Sequence, residues 1–215
     1  MATNPLQEPL KSLADQAIDA AKNEATQALA NTLAPHLQVT AAKLRTMCPT
    51  SKKSLLEPLA QAMQELFPKY GITSYLRICH FLAQAAHETD SFRTLTEYAS
   101  GKRYEGRKDL GNIHKGDGVR YKGRGIFQLT GRANYRRFGK LVQTPLEEQP
   151  ELAATPHLST QIACIYWTDK KLSGYADKDD VKKITKRING GYNGLQDRKN
   201  KLAIAKRLFA PAANK

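Results

Sequence analysis

Thr73–Tyr98, TSYLRICHFLAQAAHETDSFRTLTEY, is the stretch on which the reading of this chain turns. Its first half is a dense apolar run: Tyr75, Leu76, Ile78, Cys79, Phe81, Leu82, Ala83, Ala85 and Ala86 leave hardly a polar face. A helix that is apolar nearly all round is buried all round. Gly71 stands just before it, and Thr73 or Ser74 can cap its first turn. The run then ends in charge, at His87, Glu88 and Asp90. A carboxylate at the end of a buried helix is costly unless it is paired, hydrated or neutralised. Burial raises a carboxyl pKa, which is how a glutamate is kept protonated as a general acid near neutral pH. A second glutamate, Glu97, follows nine residues later. A glutamate near a helix end is ordinarily a surface residue, so the weight of this pair rests on what accompanies it.

Outward from that stretch, 215 residues are enough for one ordinary domain with an appendage. Hydrophobic content of 40% and charged content of 25% suit a globular protein. The net charge of +14 does not belong to the average; a strongly basic protein meets a polyanion such as nucleic acid, an acidic membrane or an anionic cell wall. Zinc-ligand spacing, basic-region heptads and aromatic RNA-binding signatures are all missing from the sequence, so no nucleic-acid partner is expected. Cys48, Cys79 and Cys164 are odd in number and far apart, which argues against a disulfide framework and for small core residues made in a reducing compartment. The N-terminus carries no basic region followed by an apolar stretch, and no apolar run approaches the roughly 20 residues that span a bilayer. Synthesis in a bacterial cytoplasm without a signal peptide is the expectation, with no stable membrane insertion.

Residues 1–35 differ from the rest. They contain no aromatic residue and no glycine, and Glu8, Asp15, Asp19 and Glu24 against Lys11 and Lys22 give −2, leaving +16 for the remainder. Leu6, Leu10, Leu13, Ala17, Ala25, Ala28 and Leu29 recur at helical spacing, so an amphipathic extension is expected up to Pro35, with a catalytic domain over 36–215. In 36–69 two helices are expected, the first capped by Thr40, the second by Ser51 or Ser54 with Glu57 in capping-box spacing. Residues 99–122 are polar and glycine-rich without helical period and read as a long ordered loop, in which Tyr104 and Tyr121 can stack on a sugar or close the loop. In Tyr121–Tyr135, YKGRGIFQLTGRANY, the run from Ile126 to Thr130 alternates as a strand, with Gln128 and Thr130 on one face. The third glycine of a dinucleotide loop would fall at Gln128, so that reading is rejected. Ser159–Lys171 reads as a core helix with Trp167 inside it, and Ile184 and Ile188 fit a helix stopped at Asn189-Gly190-Gly191. Leu195–Phe209 reads as a basic amphipathic helix.

AHETDSF (86–92), Glu97 nine residues after the first glutamate, YKGRGIFQLTGRANY (121–135), and ITKRINGG (184–191) followed by Asp197-Arg198, in that order, resemble the family 19 glycoside hydrolases over about residues 36–209. That family includes chitinases and phage or bacterial cell-wall lysins, and YEGRKDLGN with the short loops looks most like the endolysin branch. The resemblance implies a mainly α, lysozyme-like, two-lobed helical domain with a small β element beside the cleft. It implies that Glu88 is the general acid, that Glu97 is the general base, and that Thr130 helps hold the attacking water. It further implies that Gln128, Asn134 and Asn189 hydrogen-bond substrate, with Tyr135 grouped beside them. Arg198 lies near the acid and tunes the carboxylates, and His87 orients. The chemistry implied is inverting and needs no metal or other cofactor, with two carboxyls roughly 6.5–9.5 Å apart. Ile126 replaces a proline common after GRG in plant members, and Ala133 stands where those carry a tyrosine. The short spacing between the glutamates removes a loop that helps bind long chitin chains.

The expected function is therefore hydrolysis of β-1,4 bonds between amino sugars of bacterial peptidoglycan, with chitin as the alternative polymer. A basic wall-binding module is the non-enzymatic alternative. Residues 1–35 are expected to pack on the main domain or stay partly disordered, with release through holin pores or docking to a secretion system as the alternative role, and the protein is expected to act in the periplasm or wall.

Overall fold

A computed structural model describes residues 33–211. The amphipathic extension expected over 1–35 falls almost wholly outside the described residues. The rest is mainly helical: α1 (Ala41–Met47), α2 (Lys53–Lys69), α3 (Tyr75–Glu88), α4 (Asp117–Arg120), α5 (Arg132–Leu141), α6 (Pro156–Asp169), α7 (Ser173–Ala176), α8 (Val181–Asn189) and α9 (Leu195–Phe209). No helix among the described residues is long and apolar enough to cross a membrane.

Helix α3 is buried from Ile78 to Ala86 without interruption. It starts where Ser74 Oγ accepts from the backbone N–H of Arg77 at 3.3 Å, and Thr40 caps α1 in the same way through the N–H of Lys43 at 3.2 Å. The second expected cap is not formed. Helix α2 begins at Lys53 after Lys52, without a side-chain cap, and Ser51 Oγ is buried with no partner among the described residues. The chain there is held by backbone instead: Lys52 N–H donates to Phe92 O, and Ser51 O accepts from Arg45.

Two hydrophobic cores form, in keeping with two lobes. The larger gathers α1, α2, α3 and α9 around Phe67, Phe81, Trp167 and Phe209, all at 0% exposure. Trp167 is thus core, and its indole N–H donates to Ser173 Oγ. The smaller core holds Tyr121, Leu129, Tyr135, Phe138, Leu146 and Ile162. Helix α6 serves both, turning Ala163, Cys164 and Trp167 to one and Ile162 to the other. All three cysteines are free and buried.

The β element is smaller than the sequence suggested. Ile126–Thr130 is not a strand. Arg124 bridges Thr96 on one side and Leu129 on the other, and residues 125–128 between the bridges make a tight turn. Gln128 closes that turn at φ 53°, a left-handed conformation that an alternating strand never contains. Period-2 alternation over five residues does not distinguish a strand from a hairpin reversal. The 99–122 segment is, as expected, mostly loop, with short 3-10 turns at Lys102–Tyr104 and Lys108–Leu110 before α4.

Candidate active site

Glu88 is the last residue of α3, with 17% of its side chain exposed. Behind it lies Arg198 of α9, whose guanidinium is fully buried and donates from Nη2 to Glu88 Oε1. The same guanidinium donates from Nη1 to Gln84 Oε1, one turn earlier on α3, and Gln84 in turn reaches Thr185 of α8 at 3.5 Å. A charge this deep is tolerable because it is paired and hydrogen-bonded. Arg198 therefore faces the carboxylate and the core, not a ligand.

His87 beside it is held from two sides. Its Nδ1 pairs with Asp197 Oδ2 at 2.6 Å, and Asp197 also accepts from Lys201. Burial would raise the Asp197 carboxyl, but Lys201 and His87 outweigh it and hold it below the usual range. The His87 ring lies where a side chain at position 194 would be: a Cβ there would fall 2.1 Å from Cε1, and the backbone has φ +71°. Gly194 is the residue type that this ring and this dihedral both require.

After Glu88 the chain reverses through Asp90, Ser91 and Phe92, three consecutive residues at φ 49–62°. Such conformations cost L-residues about 1–2 kcal/mol each and persist where surroundings fix them. Here Thr89 Oγ1 accepts from Phe92 N–H at 3.0 Å, Ser91 N–H donates to Ala86 O, and Phe92 is buried. The turn delivers Glu97 to the bridge. Its backbone N–H donates to Gly123 O, and its carboxylate accepts from Arg103 Nη2 at 2.7 Å, Tyr104 hydroxyl at 3.2 Å and Gly123 N–H at 3.0 Å.

Gly123 is where the second carboxylate meets the hairpin turn. A Cβ built on it would lie 2.6 Å from Gln128 Oε1, 3.1 Å from Glu97 Oε2 and 3.3 Å from Thr130 Oγ1. Three expected site residues thus converge on one missing side chain. Gln128, Thr130 and Asn134 also line a cavity of about 610 Å³, together with Phe127, Tyr166, Arg137, Asp169 and Lys170. Thr130 donates to Gln128 O and Asn134 to Thr130 O, so both are fixed by the turn they stand on. The Phe127 and Tyr166 rings meet at a tilt of 54° with centroids 5.6 Å apart, and Phe81 joins Phe127 to the core at 5.4 Å.

Asn189 is exposed at the end of α8. Tyr135 is a correction. It is fully buried and offers no surface to a ligand. Its hydroxyl donates to Lys122 O at 2.7 Å and accepts from Arg124 at 2.9 Å, and burial pushes its phenol up to about 12. Tyr121 is likewise buried, which closes the loop and excludes sugar stacking. The sequence reading passed over Gln84, which left a signal, a lone amide four residues before Glu88 in an apolar helix. It quoted Asp197 beside Arg198 without giving it a role.

No family model matches the chain. A Haemophilus influenzae protein described as glycosyl hydrolase family 19 domain-containing is 31% identical over 169 residues, 64% of this chain and 82% of that protein. An Arabidopsis thaliana endochitinase is 33% identical over 132 residues, 60% of this chain and 45% of its own length. Chitinase C from Streptomyces griseus shares the fold with a TM-score of 0.68 at 20% identity, over 82% of this chain and 94% of that one. Another bacterial family 19 chitinase gives 0.64 at 19% identity, over 82% and 98%. With a relative 31% identical and matched over four-fifths of its length, and the fold shared over 82% of the chain, the chain belongs to glycosyl hydrolase family 19 and is a glycoside hydrolase.

Proposed function

We propose that the protein hydrolyses β-1,4 bonds between amino sugars of bacterial peptidoglycan, with Glu88 as general acid and Glu97 as general base. Glu88 gives its proton to the leaving glycosidic oxygen as the bond to the anomeric carbon breaks. Glu97 takes a proton from a water that attacks the opposite face of the same carbon. Thr130 helps hold that water, and Gln128, Asn134 and Asn189 hydrogen-bond the sugars. The product carries the inverted anomer; the step leaves Glu88 ionised and Glu97 protonated, and proton exchange with solvent restores both for the next cycle.

The observation that carries the choice of polymer is charge. A net +14 raises the encounter rate with an anionic wall and gives nothing with a neutral glycan. The Arabidopsis endochitinases among its relatives favour a second reading, chitin as substrate.

The deciding experiment incubates wild type and Glu88→Gln with purified sacculi and, separately, with N-acetylglucosamine oligomers. New reducing ends are counted, and fragments are identified by mass spectrometry. We expect sacculi to be cut by wild type, with the variant slower by about 10²–10⁴-fold. Cleavage of the oligomers alone would establish the chitin reading. Equal rates for both proteins would remove Glu88 from the chemistry.

A further inference from the structure

Gln128, Thr130 and Asn134 account for part of the lining of the 610 Å³ cavity, and the rest of it includes charge that uncharged sugar binding leaves without a purpose. Arg137 stands three residues after Asn134 on α5, a spacing that puts both on one helix face. Lys170 directly follows α6. Arg137 donates to Asp169 through Nη2 while stacking 5.0 Å over the Phe138 ring. A guanidinium has five N–H donors, so this pairing leaves others free for a ligand. Lys170 sits 5.7 Å over Tyr166 and is in no ion pair among the described residues. Two cations against Asp169 leave that part of the lining at +1, beside the aromatic rings of Phe127 and Tyr166.

We propose that Arg137 and Lys170 form an anion-binding subsite that receives a carboxylate carried on a substituent of the glycan chain. This rests on the wall reading above and sharpens it: neutral hydrogen-bonding groups hold the sugar ring while the cations read what hangs from it. In intact peptidoglycan the carboxylate is that of the stem peptide, because the lactyl carboxyl is spent in the amide bond to it; removal of the peptide frees the lactyl carboxylate in its place. Both present the same planar acceptor, to which an arginine donates in parallel and a lysine adds a point charge.

The test is the double variant Arg137→Gln/Lys170→Gln, compared with wild type on three substrates. These are intact sacculi, sacculi stripped of stem peptides by an amidase, and intact sacculi whose carboxyls have been masked as amides. Both positions are on the surface, Arg137 with 55% of its side chain exposed, so the variant is expected to fold, which a circular dichroism melt checks. We expect the rate on intact sacculi at low salt to fall about tenfold, equivalent to roughly 1.4 kcal/mol, and the difference between the proteins to vanish on the masked wall. A loss confined to the intact wall assigns the subsite to the peptide carboxylate, and a loss that persists on stripped strands shows that it also takes the lactyl carboxylate that the amidase exposes. An unchanged rate on intact sacculi, or the same loss on the masked wall, overturns the subsite and leaves the wall reading standing. A wild type inert on all three overturns both.

Discussion

Gly123 shows how much of this site depends on an atom that is not there. Glu97 Oε2, Gln128 Oε1 and Thr130 Oγ1 all approach within 3.3 Å of the point where its Cβ would sit. Gly123→Ala must push at least two of them aside, while the backbone there needs no positive φ and tolerates the change. The expected result is a hydrolysis rate about 10²-fold lower, the scale of loss that follows a misplacement of about 1 Å, with an unchanged melting temperature. Full activity in that variant would mean that Gln128 and Glu97 do not act from these positions. At this scale the sequence was informative about identity and poor about orientation. Motif order picked out Glu88, Glu97, Gln128, Thr130 and Asn134, but it could not separate Tyr135 from Asn134 one residue earlier. Neighbours on a helix face different ways, so one lines the cavity and the other fills the core.

Among the elements, the pairing of α3 with α9 governs the first carboxylate. Gln84 and Glu88 are one turn apart on α3 and share the Arg198 guanidinium, whose Nε is already without a partner. Gln84→Met keeps the volume and removes an acceptor, leaving a second donor of a buried cation unsatisfied. We expect urea unfolding to show a loss of about 1–3 kcal/mol. Activity should fall further than that loss explains, since Arg198 is free to draw Glu88 inward. A variant as stable and as active as wild type would show that Gln84 has no hold on Arg198. The helices themselves were legible because their signals are local and strong: an apolar run, Ser74 and Thr40 at the caps, Gly190 past the end of α8. The turn after Glu88 was not. Three consecutive left-handed residues without a glycine have no sequence signature, since they are imposed by Phe92 locking into the core. The hairpin at 125–128 misled for a related reason, because its dihedrals follow from the two bridges of Arg124.

Over the whole molecule, the smaller core is braced by a network of charges. Arg132 donates to Asp117 and Glu147, and Arg136 also binds Glu147. The hydrogen bond from Arg136 is the largest influence on the Glu147 carboxyl; burial opposes it and Arg132 adds to it, leaving the group at about 2. That lies below the roughly 4.3 of an unfolded chain, so its contribution is complete above that value and is lost as pH falls from about 5 toward 2. In thermal melts, Glu147→Gln is expected to trail wild type at pH 7 and to converge with it near pH 2; a constant gap would refute the linkage. The positive surplus of the chain was legible from composition alone. Its division into a fixed brace here and a free rim at Lys170 was not, since it depends on which charges the fold brings together. The seat of Arg198 on α9 also bears on how the enzyme comes into being. A ribosome delivers Glu88 more than a hundred residues before the arginine that holds it. A nascent chain therefore carries its acid unset until α9 emerges and docks, and the producing cell meets a competent hydrolase no sooner than that.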